Sequence, residues 1–370
     1  MKHFIREIVL GAFLALVIVC GCGLFYYSAE PILAAAEPVV QVEEQQYITV
    51  KAVGDVMLSR KVGRLMNEKG VDYPVKKVAD YLADADLTFG NLESPISTKG
   101  SKLPGKGIWF RAEPSTVDAL QMAGFDLVCL ANNHMMDYDE PALLETGEIL
   151  DKAEILHIGS GANAKEASKI EITEVKGIKI AWIAYSEMAD LFFSHEYPRR
   201  LRAEADKPGI NSYNLDKICA DIKSVREDVD IIIVTLHWGL EYQDYPQSYQ
   251  TVHAHKMIDS GADLIIGHHP HCIQGMEEYN NGLIFYSLGN FIFDQDWSEQ
   301  TKQGVTLKLT LNGFSWQEAE ILPVYITEGQ AQLATGETAK TILNNFKNFS
   351  KPFGADFEDL GNSIKFLPAE

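Results

Sequence analysis

The sequence predicts an α/β body in which two sheets pack face to face with helices on their outer sides. Two observations carry the prediction. Apolar β-rich runs alternate with amphipathic runs of helical period through the first two thirds of the chain, the pattern of strands joined by helices. Beyond residue 271 β-runs joined by tight turns take over, so part of the sheet is antiparallel. A third observation points to function. The runs Val50–Asp55, Leu87–Glu93, Leu127–His134 and Ile231–His237, and the turn after Asp263–Ile266, all end in residues of metal-ligand type. Strands of one sheet that end together can pool such side chains in one crevice.

Taken in order, Lys2 and Arg6 precede an uncharged run from Ile8 to Ala29, long enough to span a bilayer. Residues 1–29 therefore read as a membrane anchor or signal segment, and the basic flank places the body on the extracytoplasmic face. Two other forms stay open: a secreted one cut at Ala34-Ala35-Ala36, and a lipoprotein lipidated at Cys22. Residues 30–46 form a linker, polar and acidic toward its end. From residue 47 the expected elements are strand Ile48–Val53, helices Arg60–Lys69 and Val75–Ala83, strand Leu87–Gly90, helix Pro114–Ala123 with proline in its first turn, strand Leu127–Ala131 and helix Pro141–Lys152. A hairpin follows, Lys169–Val175 with Lys179–Tyr185. Next come helix Leu215–Val225, strand Ile231–Leu236, helix Ser248–Ser260 and strand Leu264–Ile266. The β-rich remainder is Cys272–Tyr279, Leu283–Ser287, Val305–Leu311 and Phe314–Val324, with Asn280-Asn281-Gly282 as a tight turn. The main domain is 47–326, and 327–370 is a C-terminal extension with a helix at Thr338–Phe346. Ser186–Asn211 reads as a long loop, either over the site or out in solvent.

Length and charge set limits. A chain of 370 residues suffices for one large core. A net charge of −20 repels nucleic acid, so DNA and RNA are not expected partners. Arg199, Arg200 and Arg202 form the clearest local basic group. Cys129, Cys219 and Cys272 are odd in number and show no paired spacing, so a disulfide framework is not indicated. Cys129 and Cys219 read as buried apolar residues, and Cys272 as a core filler or a metal neighbour.

The strand ends hold the candidate chemistry. Gly267-His268-His269-Pro270-His271 gathers three of the ten histidines into one turn. Neutral imidazoles held close on a rigid strand are ligands for a divalent transition ion. Pro270 biases His269 toward extended backbone, which would put His269 and His271 on one face. Asp55 after Gly54 is a hard ligand or a helix cap. Asn91 and Glu93 share a face, and Glu93 is placed to bridge two cations or to sit in solvent. Asn132, Asn133 and His134 offer an amide ligand and a general acid, or simply a turn. Asp137 orients His134 or is exposed. His237 is a lone ligand or a structural histidine, with Glu241 and Tyr242 behind it. Asn290 supports the site or caps a glycine turn. His253 and His255, two apart on a helix, diverge and are poor co-ligands.

Six motifs in this order resemble the bacterial capsule synthesis family, CapA or PgsA-like, associated with poly-γ-glutamate. They are Gly54-Asp55-Val56-Met57, Gly90-Asn91-Leu92-Glu93-Ser94-Pro95, Ala131-Asn132-Asn133-His134, Leu236-His237-Trp238-Gly239, Gly267-His268-His269-Pro270-His271 and Ser287-Leu288-Gly289-Asn290-Phe291. The family in turn resembles the calcineurin-like metallophosphoesterases. That resemblance implies a four-layer α/β/β/α sandwich with metals at the strand ends. It implies Asp55, Glu93, Asn133, His237, His269 and His271 as ligands, joined by His268 on ligand type, and His134 as the acid. The divalent ions implied are Mn, Zn or Fe, one or two of them. Met57 stands where the phosphoesterase pattern has histidine, and Glu93 where it has aspartate.

Two functions follow as expectations. One is a membrane-associated, metal-dependent hydrolase or transferase acting on a phosphoester or on the polyglutamate chain. The other is a non-catalytic accessory of a capsule synthesis or export complex, binding the anionic polymer or the complex's other subunits.

Overall fold

The computed structural model describes residues 46–368, Phe314 excepted. The anchor or signal segment, 1–29, and the linker up to residue 45 lie outside the described residues.

The first half of the chain runs β1 (Ile48–Val56), α1 (Arg60–Lys69), α2 (Ala79–Ala83), β2 (Leu87–Leu92), α3 (Val117–Met122), β3 (Leu127–Cys129), α4 (Asp139–Lys152), β4 (Leu156–Ile158), β5 (Ser160–Gly161) and α5 (Ala164–Ala167). Then come β6 (Glu171–Val175), β7 (Ile178–Ser186), β8 (Gly209–Ile210), α6 (Leu215–Val225), β9 (Ile231–His237), α7 (Ser248–Asp259) and β10 (Leu264–His268). The β-rich end comprises β11 (Met276–Tyr279), β12 (Gly282–Phe285), β13 (Asn290–Ile292), β14 (Gln303–Leu311), β15 (Trp316–Thr327) and β16 (Gln330–Leu333). It closes with α8 (Gly336–Ser350), β17 (Glu358–Asp359) and β18 (Ile364–Phe366).

These strands form two large sheets. One has the order β17-β18-β15-β14-β1-β2-β3-β4, with β13 beside β1 and β16 beside β15; the other is β11-β12-β10-β9-β7-β6. Alternation along each strand decides what each face covers. In β9, Ile231 and Ile233 join Val50, Phe89, Trp182, Ile266 and Leu307 in a core shared by both sheets. Ile232 and Val234, one residue out of step, pack instead with Ile218 and Ile222 of α6 and Met257 of α7. On the far side of the larger sheet, Val53, Val56 and Val128 pack with Val62 of α1, Leu82 of α2, Leu120 of α3 and Leu143 of α4. Each sheet thus carries helices on the face turned away from the other sheet.

Local chemistry explains the helices. Ile218 and Ile222, four apart, form the buried stripe of α6, and Asn214 caps it by accepting from Lys217 N. In α7 Gln247 and Gln250 close a capping box. Two departures from expectation have plain causes. Residues 75–78 turn rather than coil as helix, since the segment after Pro74 closes through single-turn bonds such as Val78 N to Val75 O, 2.8 Å. The strand β4 was not expected because it is only three residues long and leaves Leu156 exposed. Cys219 is half-buried rather than buried. Cys129 and Cys272 are buried. Residues 330–366 add β16 and β18 to β15, so the C-terminal extension continues the larger sheet.

Parallel pairing of β1 with β2 and β2 with β3, and of β9 with β10, brings the C-terminal ends of these strands to matching levels. The register sets Asp55 opposite Asn91 on one side and Asn290 on the other. In the second sheet it sets His237 opposite His268.

Candidate metal centre

Two glycines allow the strand ends to close on one another. A Cβ on Gly54 would lie 1.9 Å from Gly289 O, and one on Gly267 would lie 1.9 Å from Tyr286 O. Only glycine fits such approaches. Asp55 N therefore donates to Gly289 O at 3.0 Å, and the carboxylate is delivered to the crevice.

Ligand-type atoms of Asp55, Glu93 and His237 lie within 4.8 Å of one another, and all three residues are buried. Asn133 Oδ1 lies 2.9 Å and His269 Nδ1 3.1 Å from His237 Nε2. His271 Nε2 is 3.8 Å from Glu93 Oε1, and its Nδ1 is 3.5 Å from Asp55 Oδ2. His268 Nδ1 approaches Asp55 Oδ1 at 3.3 Å. Four strand ends and the histidine turn thus supply one small polar volume.

The turn reaches it differently from expectation. His269 has φ 99° and His271 φ 57°, both left-handed rather than extended. Such angles cost of order 1–3 kcal/mol each and persist where the surroundings fix them. Here His269 N–H turns toward Asp55 Oδ2 at 3.4 Å, and Tyr242 N donates to Pro270 O at 2.9 Å.

The supporting residues fall into place around this group. Asn91 Nδ2 donates to Asp55 Oδ1 at 2.8 Å, and Asn132 Nδ2 donates to Asn91 Oδ1 at 3.1 Å and to Leu92 O at 2.9 Å. Asn290 Oδ1 sits 2.9 Å from His271 Nδ1. His134 stands beside the group, with Nδ1 2.7 Å from the buried Asp137 Oδ2 and its ring stacked on Phe110 at 3.8 Å. Glu241 is exposed and borders a cleft of about 310 Å³ that His134 and His271 also line. The Ser186–Asn211 segment flanks the site through Glu187, which accepts from Gly239 N, but Arg199 and Arg202 are engaged by Glu140 and Asp190. His253 and His255 point elsewhere, to Tyr213 Oη and Glu277.

Burial sets the protonation states. It pushes Glu93 well above the usual carboxylate range, and repulsion from Asp55 and Glu241 adds to this. It also opposes charge on Asp55, but the imidazoles of His268 and His271 outweigh it and hold Asp55 well below that range. Burial drives His237 far down and His269 to about 3, with neighbouring imidazoles reinforcing both. His134 falls to about 4 because burial outweighs the attraction of Asp137.

The donor set fits a divalent cation. Burial keeps the imidazoles of His237 and His269 neutral, with lone pairs to offer, and the two carboxylates repel each other. Glu93 Oε1 and both ring nitrogens of His268 are buried without a hydrogen-bond partner. Native structures leave few such atoms unsatisfied, and an unmatched group of this kind is a place for an ion or an ordered water. Met57 does not join: it is buried, and its Sδ takes contacts from Ser59 N and Oγ at 3.1 and 3.0 Å.

Sequence reasoning missed several neighbours. Lys106 is buried against Asp137, Phe110 covers His134, and Arg60 pairs with Asp294 while lying over Phe110 at 4.5 Å. Trp297 meets Tyr242, which was expected to support His237, edge to face at the cleft mouth. None lies at a strand end, which was the signal that identified the others.

Residues 49–295 match the family described as bacterial capsule synthesis protein PGA_cap. The chain belongs to that family. Every metal-centre residue named above falls within the matched span. The chain is 33% identical over 308 residues to the capsule biosynthesis protein CapA of Bacillus anthracis, covering 81% of this chain and 73% of that relative. It is 31% identical over 296 residues to the PGA biosynthesis protein CapA of Bacillus subtilis (strain 168), covering 80% and 76%. Among solved structures, a 5'-nucleotidase from Candida albicans SC5314 aligns with 84% of this chain and 60% of that one, with a TM-score of 0.41 at 9% identity.

Proposed function

We propose that this PGA_cap-family protein serves poly-γ-glutamate capsule synthesis as a metal-dependent hydrolase or transferase. We place it on the outer face of the cell membrane, held by its N-terminal segment, with a four-layer sandwich of the metallophosphoesterase type. One observation carries the reading: buried carboxylate and imidazole groups from separate strands meet at one point, with Glu93 Oε1 left unmatched. Asp55, Glu93, Asn133, His237, His268, His269 and His271 would hold one or two divalent ions. A divalent ion there supplies Lewis-acid polarisation and a water of lowered pKa.

The chain's own groups do the rest. Asp137 receives the Lys106 ammonium and Phe110 N–H, so it is an acceptor toward His134 as well. His134 Nδ1 then carries the ring proton, and Nε2 is left as the lone-pair nitrogen. In that state Nε2 accepts a proton first and hands it to a leaving group afterwards. Phe110 lines the cleft and stacks on His134, and the buried Phe293 packs edge-on against His271, so both rings keep water from these faces of the imidazoles. The partners that fit are the anionic polymer and the other subunits of the capsule machinery.

A second reading has its own support. Met57 contributes no imidazole, so one cation position is short of a ligand, which favours an accessory that binds polymer or partner without turnover. Metal analysis of the purified protein, followed by assays on a phosphodiester and on γ-glutamyl oligomers with Mn, Zn or Fe, separates the two. Bound metal with hydrolysis supports the enzyme, and bound metal with polymer binding but no turnover supports the accessory. No bound metal contradicts both site-based readings.

A further inference from the structure

The Asn132–Tyr138 turn is gripped by a stretch with no regular structure, residues 98–111. Leu103 N donates to Asp137 O at 2.9 Å, and Phe110 N donates to Asp137 Oδ2 at 2.6 Å. Arg111 lies over the Tyr138 ring at 4.0 Å. The stretch is threaded tightly: a Cβ on Gly100 would lie 1.8 Å from Tyr138 O, and one on Gly105 2.5 Å from Phe193 O. Gly100, Gly105 and Gly107 all have positive φ. Between the last two, Lys106 is turned inward, and its side chain is 4% exposed.

Inside, its ammonium meets three groups of the candidate site. It donates to Asp137 Oδ1 and to the main-chain oxygen of Asn133, and it lies 3.5 Å from His134 Nδ1. Burying a lysine is costly unless it is paired and hydrogen-bonded. Here the same contacts that pair it tie down both a candidate ligand, through the Asn133 main chain, and the orienting carboxylate of His134. With Lys106 and Phe110 N–H both donating to Asp137, that carboxylate has only acceptor capacity left for the imidazole.

We propose that Lys106 is a positioning residue: it holds the Asp137 carboxylate and the Asn133 carbonyl so that His134 keeps its Nδ1–H tautomer and Nε2 stays free for chemistry. The mode resembles the outer-shell partners of metal ligands, whose loss typically costs ~10–100-fold in affinity or activity. The kinetic part of the test rests on the hydrolytic reading above. The spectroscopic parts do not, so the two fail separately.

The first measurement uses the unaltered protein. Nitrogen-15 spectra of the His134 ring at neutral pH should show a protonated Nδ1 and an unprotonated Nε2. The Lys106 ammonium protons should exchange far more slowly than those of surface lysines such as Lys340. A His134 ring protonated on Nε2, or a Lys106 ammonium exchanging at the surface rate, overturns the proposal whether or not any variant folds. The second uses Lys106→Ala with and without added propylammonium. The variant should give a mixed His134 tautomer and a turnover lower by ~10–100-fold with KM nearly unchanged. Propylammonium should restore the ring pattern, and propanol, of similar size but neutral, should not. Equal rescue by propanol would show that Lys106 only fills space. An unchanged ring pattern in Lys106→Ala would remove its positioning role.

Discussion

Two groups of histidines in this protein are equally legible in the sequence and end in different circumstances. His268, His269 and His271 close β10 and face Asp55, Glu93 and His237, which arrive on other strands. His253 and His255 lie on α7, each satisfied by groups close by: His253 by Tyr213 Oη at 2.9 Å, His255 by Glu277 at 2.7 Å and by stacking on Tyr279 at 3.7 Å. Imidazole density alone does not make a site. Carboxylates from separate strands, buried beside the imidazoles and with Glu93 Oε1 unmatched, make the first group a candidate metal centre, whereas the second is a pair of half-buried side-chain contacts.

The strongest way to break this comparison is to remove a ligand from each group. His237→Ala should lower affinity for Mn or Zn by ~100-fold or more, beyond what loss of an outer-shell partner costs. His253→Ala with His255→Ala should leave that affinity unchanged. Isothermal titration of metal-stripped protein reads both, and equal losses would remove the distinction.

The backbone around the first group offers a second test. Gly54→Ala forces a methyl against Gly289 O, where the backbone has little room to move. We expect a loss of ~1–3 kcal/mol or more, as for overpacked cores, read as a lowered denaturation midpoint. A Gly54→Ala protein of unaltered stability would mean that the approach of β1 to Gly289 is looser than described.

A smaller effect belongs to the α7 pair. His255→Ala removes one half-buried hydrogen bond to Glu277 and should cost ~1 kcal/mol with metal stoichiometry intact. Chemical denaturation with and without metal checks it, and a larger loss in the metal-loaded protein would link α7 to the centre.

The smallest effect concerns the loop that leads toward Lys106. Glu145 is pulled down to about 2, first by the Ser97 hydroxyl at 2.6 Å and then by Thr98 N–H and Lys99. A carboxylate with a depressed folded pKa contributes stability above its unfolded pKa, near ~4.3, and loses it as pH falls through the folded value. Glu145→Gln should therefore be slightly less stable at pH 6 and should show a shallower decline between about pH 4.5 and 2. Parallel acid-unfolding curves would contradict this assignment.

Much of the fold was legible because strand and helix periods were clean. Ile231–Val234 alternates between two cores as a doubly covered strand must, and Ile218 with Ile222 marks a helix stripe. The ligands were legible for a related reason: Asp55, Glu93, Asn133, His237 and His268 each stand at or just beyond a strand end, where a parallel register brings them level. Lys106 was not legible, because the 98–111 stretch has no period and its inward lysine looks like any loop lysine. The left-handed His269 was hidden as well. Pro270 argues locally for extended backbone, and only the tertiary contact with Asp55 reverses it. Short pieces such as β4 and β13 owe their strand character to the neighbours they pair with, β3 and β1, rather than to their own residues.

The most direct test is a count of bound ions. Purified protein, stripped and reloaded with Mn, Zn or Fe, should retain at least one ion per chain, and the combined variant Asp55→Asn, Glu93→Gln, His237→Ala should retain none while keeping its fold by circular dichroism. A wild-type protein that holds no ion under these conditions, or a triple variant that holds as many, would contradict the assignment of these strand ends as a metal centre.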